Sequence, residues 1–192
     1  MGKWTIRGLV FSALFAAITM AFSFLKFKLP FTAVPISFIN FGPMIAGSIL
    51  GARYGFLALL LAVGVAAAGL PVIGGSGGVS LMLGPTGGFV WVQPIAALLI
   101  GFFAERMRAD RPSFWKLTAV NFLFGSLFLY PTGVGWLAHK LNLPLAKALV
   151  AGMWPFLPGD FLKALICAAV TVAVWRVYPI EQITGQNTNR SV

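Results

Sequence analysis

Long apolar stretches, separated by short polar or basic segments, make up most of this chain. A helix needs roughly 20 mainly apolar residues to cross a hydrocarbon core about 30 Å thick. The pattern therefore predicts an all-α membrane protein with six transmembrane helices. We place these helices at about Thr5–Leu25, Ile36–Leu50, Tyr54–Leu70, Gly88–Ala104, Phe114–Leu137 and Pro158–Tyr178.

The second predicted helix is short for a membrane span. Gly42-Pro43 inside it predicts a bend or a partly re-entrant path, because proline removes a helical hydrogen bond. No internal repeat divides the six segments. We therefore expect one transmembrane domain over residues 1–178, followed by a polar cytoplasmic tail over residues 179–192.

Composition supports a membrane class. Of 192 residues, 59% are hydrophobic and 9% are charged, whereas soluble domains have about 45–50% and about 25%. The single cysteine and the single histidine exclude a disulfide framework and argue against a Cys/His metal site. We therefore expect no metal or other cofactor. The net charge of +10 is spread along the chain and is explained by topology, so no nucleic-acid partner is expected.

The distribution of lysine and arginine predicts which side of the cell membrane each loop faces, because cytoplasmic loops are richer in these residues. Six spans put both termini on the same side, and cytoplasmic termini give nine basic residues inside against four outside. The inner set is Lys3, Arg7, Arg53, Arg106, Arg108, Arg111, Lys116, Arg176 and Arg190, and the outer set is Lys26, Lys28, Lys140 and Lys147. This topology makes the loop between the third and fourth helices extracellular.

That loop, Gly69 to Gly88, contains eight glycines and no charge. It lacks the Gly-Lys-Ser/Thr ending of a phosphate-binding P-loop. A flexible connector is one interpretation. Apolar residues between the glycines, such as Ile73 and Leu81, favour another, in which the loop folds down over a pocket and glycine allows close backbone approach.

Asp160 and Lys163 are charged residues near the start of the last apolar segment. Pro158 favours a helix start there, and positions i and i+3 share a helix face. Charged side chains inside a membrane are costly, so both should face a cavity or a partner. Two interpretations remain open: a pair that only satisfies itself, or a substrate pocket in which the carboxylate accepts N–H groups and the ammonium meets an anion.

Gln93 supports the pocket. It lies about six residues beyond the start of the fourth helix, at about 9 Å depth along the helix axis, close to the depth of Lys163. The two helix starts would direct free N–H groups towards one outer site. Tyr130 and Trp154 lie at similar height, although aromatic belts at the membrane interface also explain such residues.

Three segments resemble the BioY biotin-transport proteins, the substrate-binding (S) subunits of energy-coupling-factor (ECF) vitamin transporters. They are "VPISFINFGPMIAGSILGARYG", "GLPVIGGSGGVSLMLGPTGGF" and "PFLPGDFLKALI". The resemblance implies a six-helix protein that binds biotin with high affinity near the outer surface. It also implies delivery inward with a transmembrane coupling subunit and ATP-binding-cassette ATPases. The ligand contacts that it implies are Asp160 and Lys163, with Gly75, Ser76 and Thr86 in the glycine-rich segment.

Biotin has a ureido ring, an apolar thiophane ring and a carboxylate tail. Asp160 suits a ureido N–H group, while Lys163 could either pair with the carboxylate or orient Asp160, and the sequence leaves this open. The resemblance implies that some members use an arginine for the carboxylate. This chain has no arginine between Arg53 and Arg106.

The first helix carries Ala13, Ala17 and Ala21 on one stripe, with four-residue spacing that allows close helix approach. The resemblance implies that this stripe docks on the coupling subunit. Internal packing is the alternative.

Two other functions compete with vitamin binding. A self-sufficient secondary transporter or channel for a small anionic solute would show paired, broken helices in two related halves, and the sequence has no such symmetry. An enzyme is not expected, because no catalytic constellation can be assembled from the spans.

Overall fold

Helices dominate the computed structural model, which describes residues 4–27, 36–107, 113–178 and 180–185. The helices are α1 (Ile6–Ser23), α2 (Phe41–Ala67), α3 (Gly78–Met82), α4 (Gly87–Trp91), α5 (Gln93–Met107), α6 (Phe114–Phe122), α7 (Leu129–Leu141), α8 (Leu145–Gly152), α9 (Leu157–Val177) and α10 (Ile180–Thr184). Strands β1 (Lys26–Phe27) and β2 (Ile36–Ser37) pair antiparallel between α1 and α2. A π-helical segment, Leu123–Leu127, joins α6 to α7.

Five helical stretches in the described residues are long and apolar enough to cross a membrane. They are Ile6–Ser23, Phe41–Ala67, Gly87–Met107, Phe114–Leu141 and Leu157–Val177. These stretches confirm a helical membrane protein and overlap the predicted first, fourth, fifth and sixth spans. Residues 108–112 of the basic connector, and residues 186–192 of the predicted tail, lie outside the described residues.

The predicted second and third spans form one element, α2, which bends at Gly51. This residue has φ +83° and ψ −176°, outside the helical region. A Cβ on Gly55 would lie 2.8 Å from Cα of Gly47, whereas these positions would be about 12 Å apart along a straight helix. The chain therefore turns sharply at Gly51, and its two arms lie against each other.

The prediction of a bend at Gly42-Pro43 is wrong, because these residues occupy the first turn of α2. Proline is tolerated there, since first-turn N–H groups have no partner within the helix. The predicted start at Ile36 is also wrong: Ile36 belongs to β2, and the helix begins at Phe41.

The bend of α2 packs against α5. A Cβ on Gly101 would lie 2.2 Å from the backbone nitrogen of Ala52, so only glycine permits this approach. Around the contact, the buried core includes Met44, Leu50, Leu59 and Ile100. The core thus lies between the two arms of α2 and the helix that crosses them.

One face of α1 packs on α2, and the other is exposed. The packed face consists of Gly8, Ser12, Ala16, Thr19 and Ser23. Ala13, Ala17 and Ala21 lie on the exposed face. The alanine stripe therefore takes no part in the packing of the described residues.

Several segments that are distant in sequence contact each other at the end of the molecule where α2 bends. The Thr5 backbone N–H donates to Tyr54 Oη (2.9 Å), and the Thr5 hydroxyl donates to the Thr184 carbonyl. The Ala52 backbone N–H donates to Glu105 Oε1 (2.9 Å). The start of α1, the bend and α10, which is formed by the first residues of the predicted tail, are thus neighbours.

Candidate ligand-binding site

Asp160 and Lys163 lie in the first two turns of α9, which begins at Leu157 with Pro158 as its second residue. Both side chains are buried, and the Lys163 ammonium lies 2.9 Å from Asp160 Oδ1. The predicted pair therefore forms within the protein, away from lipid.

Two residues from other elements complete the environment of the carboxylate. Asn40 Nδ2, just before α2, donates to Asp160 Oδ1 (2.8 Å). Tyr130 Oη, in α7, donates to Asp160 Oδ2 (2.7 Å). Together with Lys163, they give the carboxylate three donors out of about four sites where it can accept hydrogen bonds. Among the described residues, no donor occupies the fourth site, which lies on Oδ2.

The Lys163 ammonium has a full set of partners. Besides Asp160, it donates to the Ser37 carbonyl (2.7 Å) and to Asn40 Oδ1 (2.9 Å). An ammonium has three N–H groups, and three acceptors occupy them. The Phe38 ring centroid lies 5.2 Å from the same nitrogen. Lys163 thus orients Asp160, Asn40 and the β2 backbone.

This polar network forms part of the wall of a cavity of about 180 Å³. A cavity of about 150 Å³ is large enough to bind benzene, so this one has room for a small ring system. Its described lining combines polar groups with aromatic and aliphatic side chains: Ser23, Lys26, Ser37, Ile39, Asn40, Ile73, Gly74, Ser76, Leu81, Thr86, Phe89, Val90, Gln93, Ser126, Leu129, Tyr130, Gly152, Phe156, Asp160 and Lys163.

Gln93 and Ser126 contribute polar atoms that have no hydrogen-bond partner in the described structure. Both side chains are buried, and both line the cavity. Ser126 lies in the π-helical segment, a helical irregularity that is frequent at functional sites. Because buried polar groups are normally hydrogen-bonded, these two side chains are candidates for hydrogen bonds to a ligand in the cavity.

The glycine-rich segment packs over the cavity. Its tip is a tight hairpin in which Ile73 and Ser76 exchange backbone hydrogen bonds (2.9 and 3.2 Å). Gly74 and Gly75 have φ +56° and +79°, which suits a type I′ turn. Ser23 Oγ accepts from the Gly74 N–H (2.8 Å) and ties the tip to α1. We call residues 69–88 the lid.

The other end of the lid is fixed to α7. Trp136 Nε1 donates to the Gly84 carbonyl (2.8 Å). The short helices α3 and α4 lie within the lid and at its end. The expectation of a loop folded over a pocket thus agrees with the packing of this segment.

Six of the eight residues singled out as ligand contacts line this cavity: Asp160, Lys163, Gln93, Thr86, Ser76 and Tyr130. Gly75 lies at the exposed hairpin tip, beside lining residue Gly74. Trp154 is 57% exposed and does not belong to the described lining.

Sequence reasoning missed Asn40, Ser126 and Lys26 as residues of the site. Asn40 lies within the quoted motif "VPISFINFGP", where a polar residue directly before an apolar helix was a usable signal. Ser126 and Lys26 carried no comparable signal, because their approach to the cavity depends on tertiary packing.

Comparison with known proteins places these residues in a family context. The model of the BioY family matches residues 1–180. The chain belongs to the BioY family. The biotin transporter BioY of Rhizobium etli is 39% identical over 180 residues, covering 91% of this chain and 96% of that protein. The biotin transporter BioY of Lactococcus lactis subsp. cremoris is 34% identical over 169 residues, covering 86% and 88%.

A solved structure agrees with this family assignment. The crystal structure of the S-component for biotin from an ECF-type ABC transporter matches with a TM-score of 0.86 and 31% identity. The match covers 93% of this chain and 96% of that chain. The predicted resemblance to the BioY family is thereby confirmed, and the fold is that of an S-component.

Proposed function

We propose that this protein is the biotin-binding S-component of an ECF-type importer, which captures biotin at the outer face of the cell membrane. The observation that supports this proposal is a lidded cavity with a buried Asp160 network and two polar side chains that have no partner among the described residues. The similar proteins are biotin transporters and a biotin S-component. The function is transport, and no catalytic role is assigned.

The polar wall suits the ureido ring, which has two N–H donors and one carbonyl acceptor. Asp160 Oδ2 accepts one hydrogen bond within the described structure, which leaves an acceptor site for one N–H group. The Gln93 amide offers a donor and an acceptor without partners, so it can pair with a cyclic urea through two hydrogen bonds. Phe89, Leu129 and Phe156 provide apolar contacts for the thiophane ring.

Six crossings with both termini inside remain our proposed topology. The contact between Thr5 and Thr184 supports an even number of crossings, because an odd number would place these residues on opposite sides. The sharp turn at Gly51 supports counting α2 as two crossings. Arg7, Arg53 and Arg176 lie near the same end of the molecule, as expected for the cytoplasmic side.

We assign the exposed stripe of Ala13, Ala17 and Ala21 to docking on a transmembrane coupling subunit that works with ATP-binding-cassette ATPases. Small residues let two membrane helices approach closely. The stripe faces away from this protein's own core, as a docking surface must.

Equilibrium binding of radiolabelled biotin to the purified protein in detergent tests the proposed function. We expect saturable binding below micromolar concentration, with competition by desthiobiotin and weaker competition by lipoate. Lipoate tests whether the ureido group is read, because it has a carboxylate tail and a sulfur-containing ring but no ureido group. Absence of saturable binding in this range would overturn the proposal.

Substitution of Asp160 tests the assigned site. Asp160→Asn should weaken biotin binding by at least tenfold, since hydrogen bonds to charged groups contribute about 1.5–3 kcal/mol. It also leaves the buried Lys163 ammonium unpaired, which lowers stability. The double variant Asp160→Asn/Lys163→Met should regain thermal stability without regaining affinity. Normal binding by either variant would contradict a ligand role for Asp160.

A further inference from the structure

Three charged residues line the cavity in the described structure: Lys26, Asp160 and Lys163. Asp160 and Lys163 form a pair whose charges cancel. A monoanionic ligand therefore finds net attraction from Lys26 alone among them. This reasoning rests on the proposed function, in which the ligand has a polar ring at one end and a carboxylate at the other.

Lys163 does not fit the carboxylate. Its three N–H groups are occupied by Asp160, Asn40 and the Ser37 carbonyl. A carboxylate would have to displace one of these acceptors within a buried network, which would leave that acceptor unsatisfied. The sequence left Lys163 open as a carboxylate partner, and its geometry favours the positioning role.

Lys26 lies in β1 directly opposite Ser37 in β2. Directly opposed side chains project from the same face of a two-stranded ribbon, and both residues line the cavity. The Lys26 side chain is exposed, so it stands at the mouth, whereas the Asp160 network is buried. A single protein acceptor among the described residues contacts its ammonium, the Gly74 carbonyl at the lid tip.

We propose that Lys26 binds the ligand carboxylate at the mouth of the cavity and so orients biotin with its ureido ring inward. An ammonium has three donors, so one can hold Gly74 while the others meet the carboxylate. Lys26 then connects the bound ligand to the lid tip. A ligand without a carboxylate would lose both the charge attraction and this connection.

The test compares biotin with biotinamide, whose tail is neutral, in the full-length protein. The wild type should bind biotin about tenfold more tightly than biotinamide, as expected for one charge-assisted contact at a partly exposed site. This preference should shrink as ionic strength rises, because salt screens exposed charges. Lys26→Gln should lose the preference and bind both ligands equally, and Lys26→Arg should keep the preference.

Lys147→Gln is the matched control, because Lys147 is an exposed lysine on α8, the helix whose Gly152 lines the cavity. It removes the same charge without touching the lining, and it should leave both affinities unchanged. A preference for biotin that survives in Lys26→Gln would overturn the proposal. Equal weakening of both ligands would also overturn it, since Lys26 would then act only through the lid.

A second measurement needs no variant. The N-hydroxysuccinimide ester of biotin carries its reactive carbonyl at the position of the carboxylate. Attack by a lysine amine forms an amide, releases N-hydroxysuccinimide and frees one proton from the nitrogen. Mass spectrometry should find the acylated lysine at Lys26, with excess free biotin suppressing the reaction. Biotin-protected acylation at another lysine instead would reject the orientation.

The outcomes separate this inference from the proposed function. A wild type that binds biotin and biotinamide equally keeps the biotin-binding function and loses the role of Lys26. A wild type that binds neither ligand removes the proposed function itself.

Discussion

At the residue scale, Gln93 supports ligand binding more strongly than the Asp160–Lys163 pair does. Its amide is 1% exposed and without a partner in the described structure. Burying an unpaired amide costs about 1–3 kcal/mol in protein mutational data. A side chain that serves only stability would not carry this cost, which supports the proposed hydrogen bonds between the Gln93 amide and biotin.

Gln93→Met should therefore separate binding from stability. Methionine has a similar length and needs no hydrogen bond, so the midpoint of thermal unfolding in detergent should stay constant or rise. Biotin affinity should fall at least tenfold, because two hydrogen bonds to the ureido ring are lost. Thermal unfolding and radioligand binding on the same preparation measure both quantities.

Ile95→Met provides the control for this substitution, because Ile95 lies on the same helix and is 47% exposed. It should change neither quantity. A Gln93→Met protein that melts at lower temperature but binds biotin normally would show that the amide serves the fold.

Whether a site residue could be predicted from the sequence depended on how far along the chain its contacts lie. Asp160 and Lys163 were identifiable because charge in an apolar helix is costly wherever the helix lies. The other two donors to the Asp160 carboxylate, from Asn40 and Tyr130, are 120 and 30 residues from Asp160 along the chain. No local pattern encodes such a distance.

At the element scale, the bend at Gly51 determines how the two arms of α2 pack. With φ +83° and ψ −176°, Gly51 occupies a backbone region that is essentially restricted to glycine. The bend brings Gly55 against Gly47 and places Ala52 beside Gly101. One local conformation thus sets the packing of three helical segments.

Gly51→Ala should destabilise the protein by about 1–3 kcal/mol, since a Cβ is strained in this conformation. Thermal unfolding in detergent measures the loss as a lowered midpoint. Gly64→Ala is the control, because Gly64 lies within the same helix and a Cβ there meets no atom of the described residues within 4 Å. It should be neutral or slightly stabilising. Equal midpoints for both variants would refute the role of the bend.

Element lengths were largely predictable, because the bilayer thickness limits the length of apolar helices. The location of the bend was not. Gly42-Pro43 is the stronger local helix breaker, yet it lies at a helix start, where proline costs little. The turn lies at Gly51, where Gly101 of a distant helix packs against the backbone.

At the scale of the whole molecule, the exposed stripe on α1 lies on a different surface from the ligand cavity. Ala17 lies on the face opposite the one that packs on α2. The ligand cavity involves α1 through Ser23, at its far end. A change at Ala17 can therefore alter an outer surface without altering the cavity.

Ala17→Trp should leave biotin affinity unchanged and abolish co-purification with the coupling subunit, because a large ring prevents close helix approach. Ile166→Trp, on an exposed face of α9, is the control and should preserve both properties. Co-purification and radioligand binding from the same membranes measure the two effects. Normal assembly of the Ala17→Trp protein would remove the docking role of the stripe.

The sequence by itself determined the membrane class, the approximate spans and the family, because apolar length and contiguous motifs are local properties of the chain. It also pointed to Asp160, Lys163 and Gln93, since polar groups in apolar helices need partners. Tertiary structure alone decided which partners Asp160 and Lys163 have, where α2 bends and which cation reaches the cavity mouth. These features join residues far apart in the chain, and only close packing brings their atoms together.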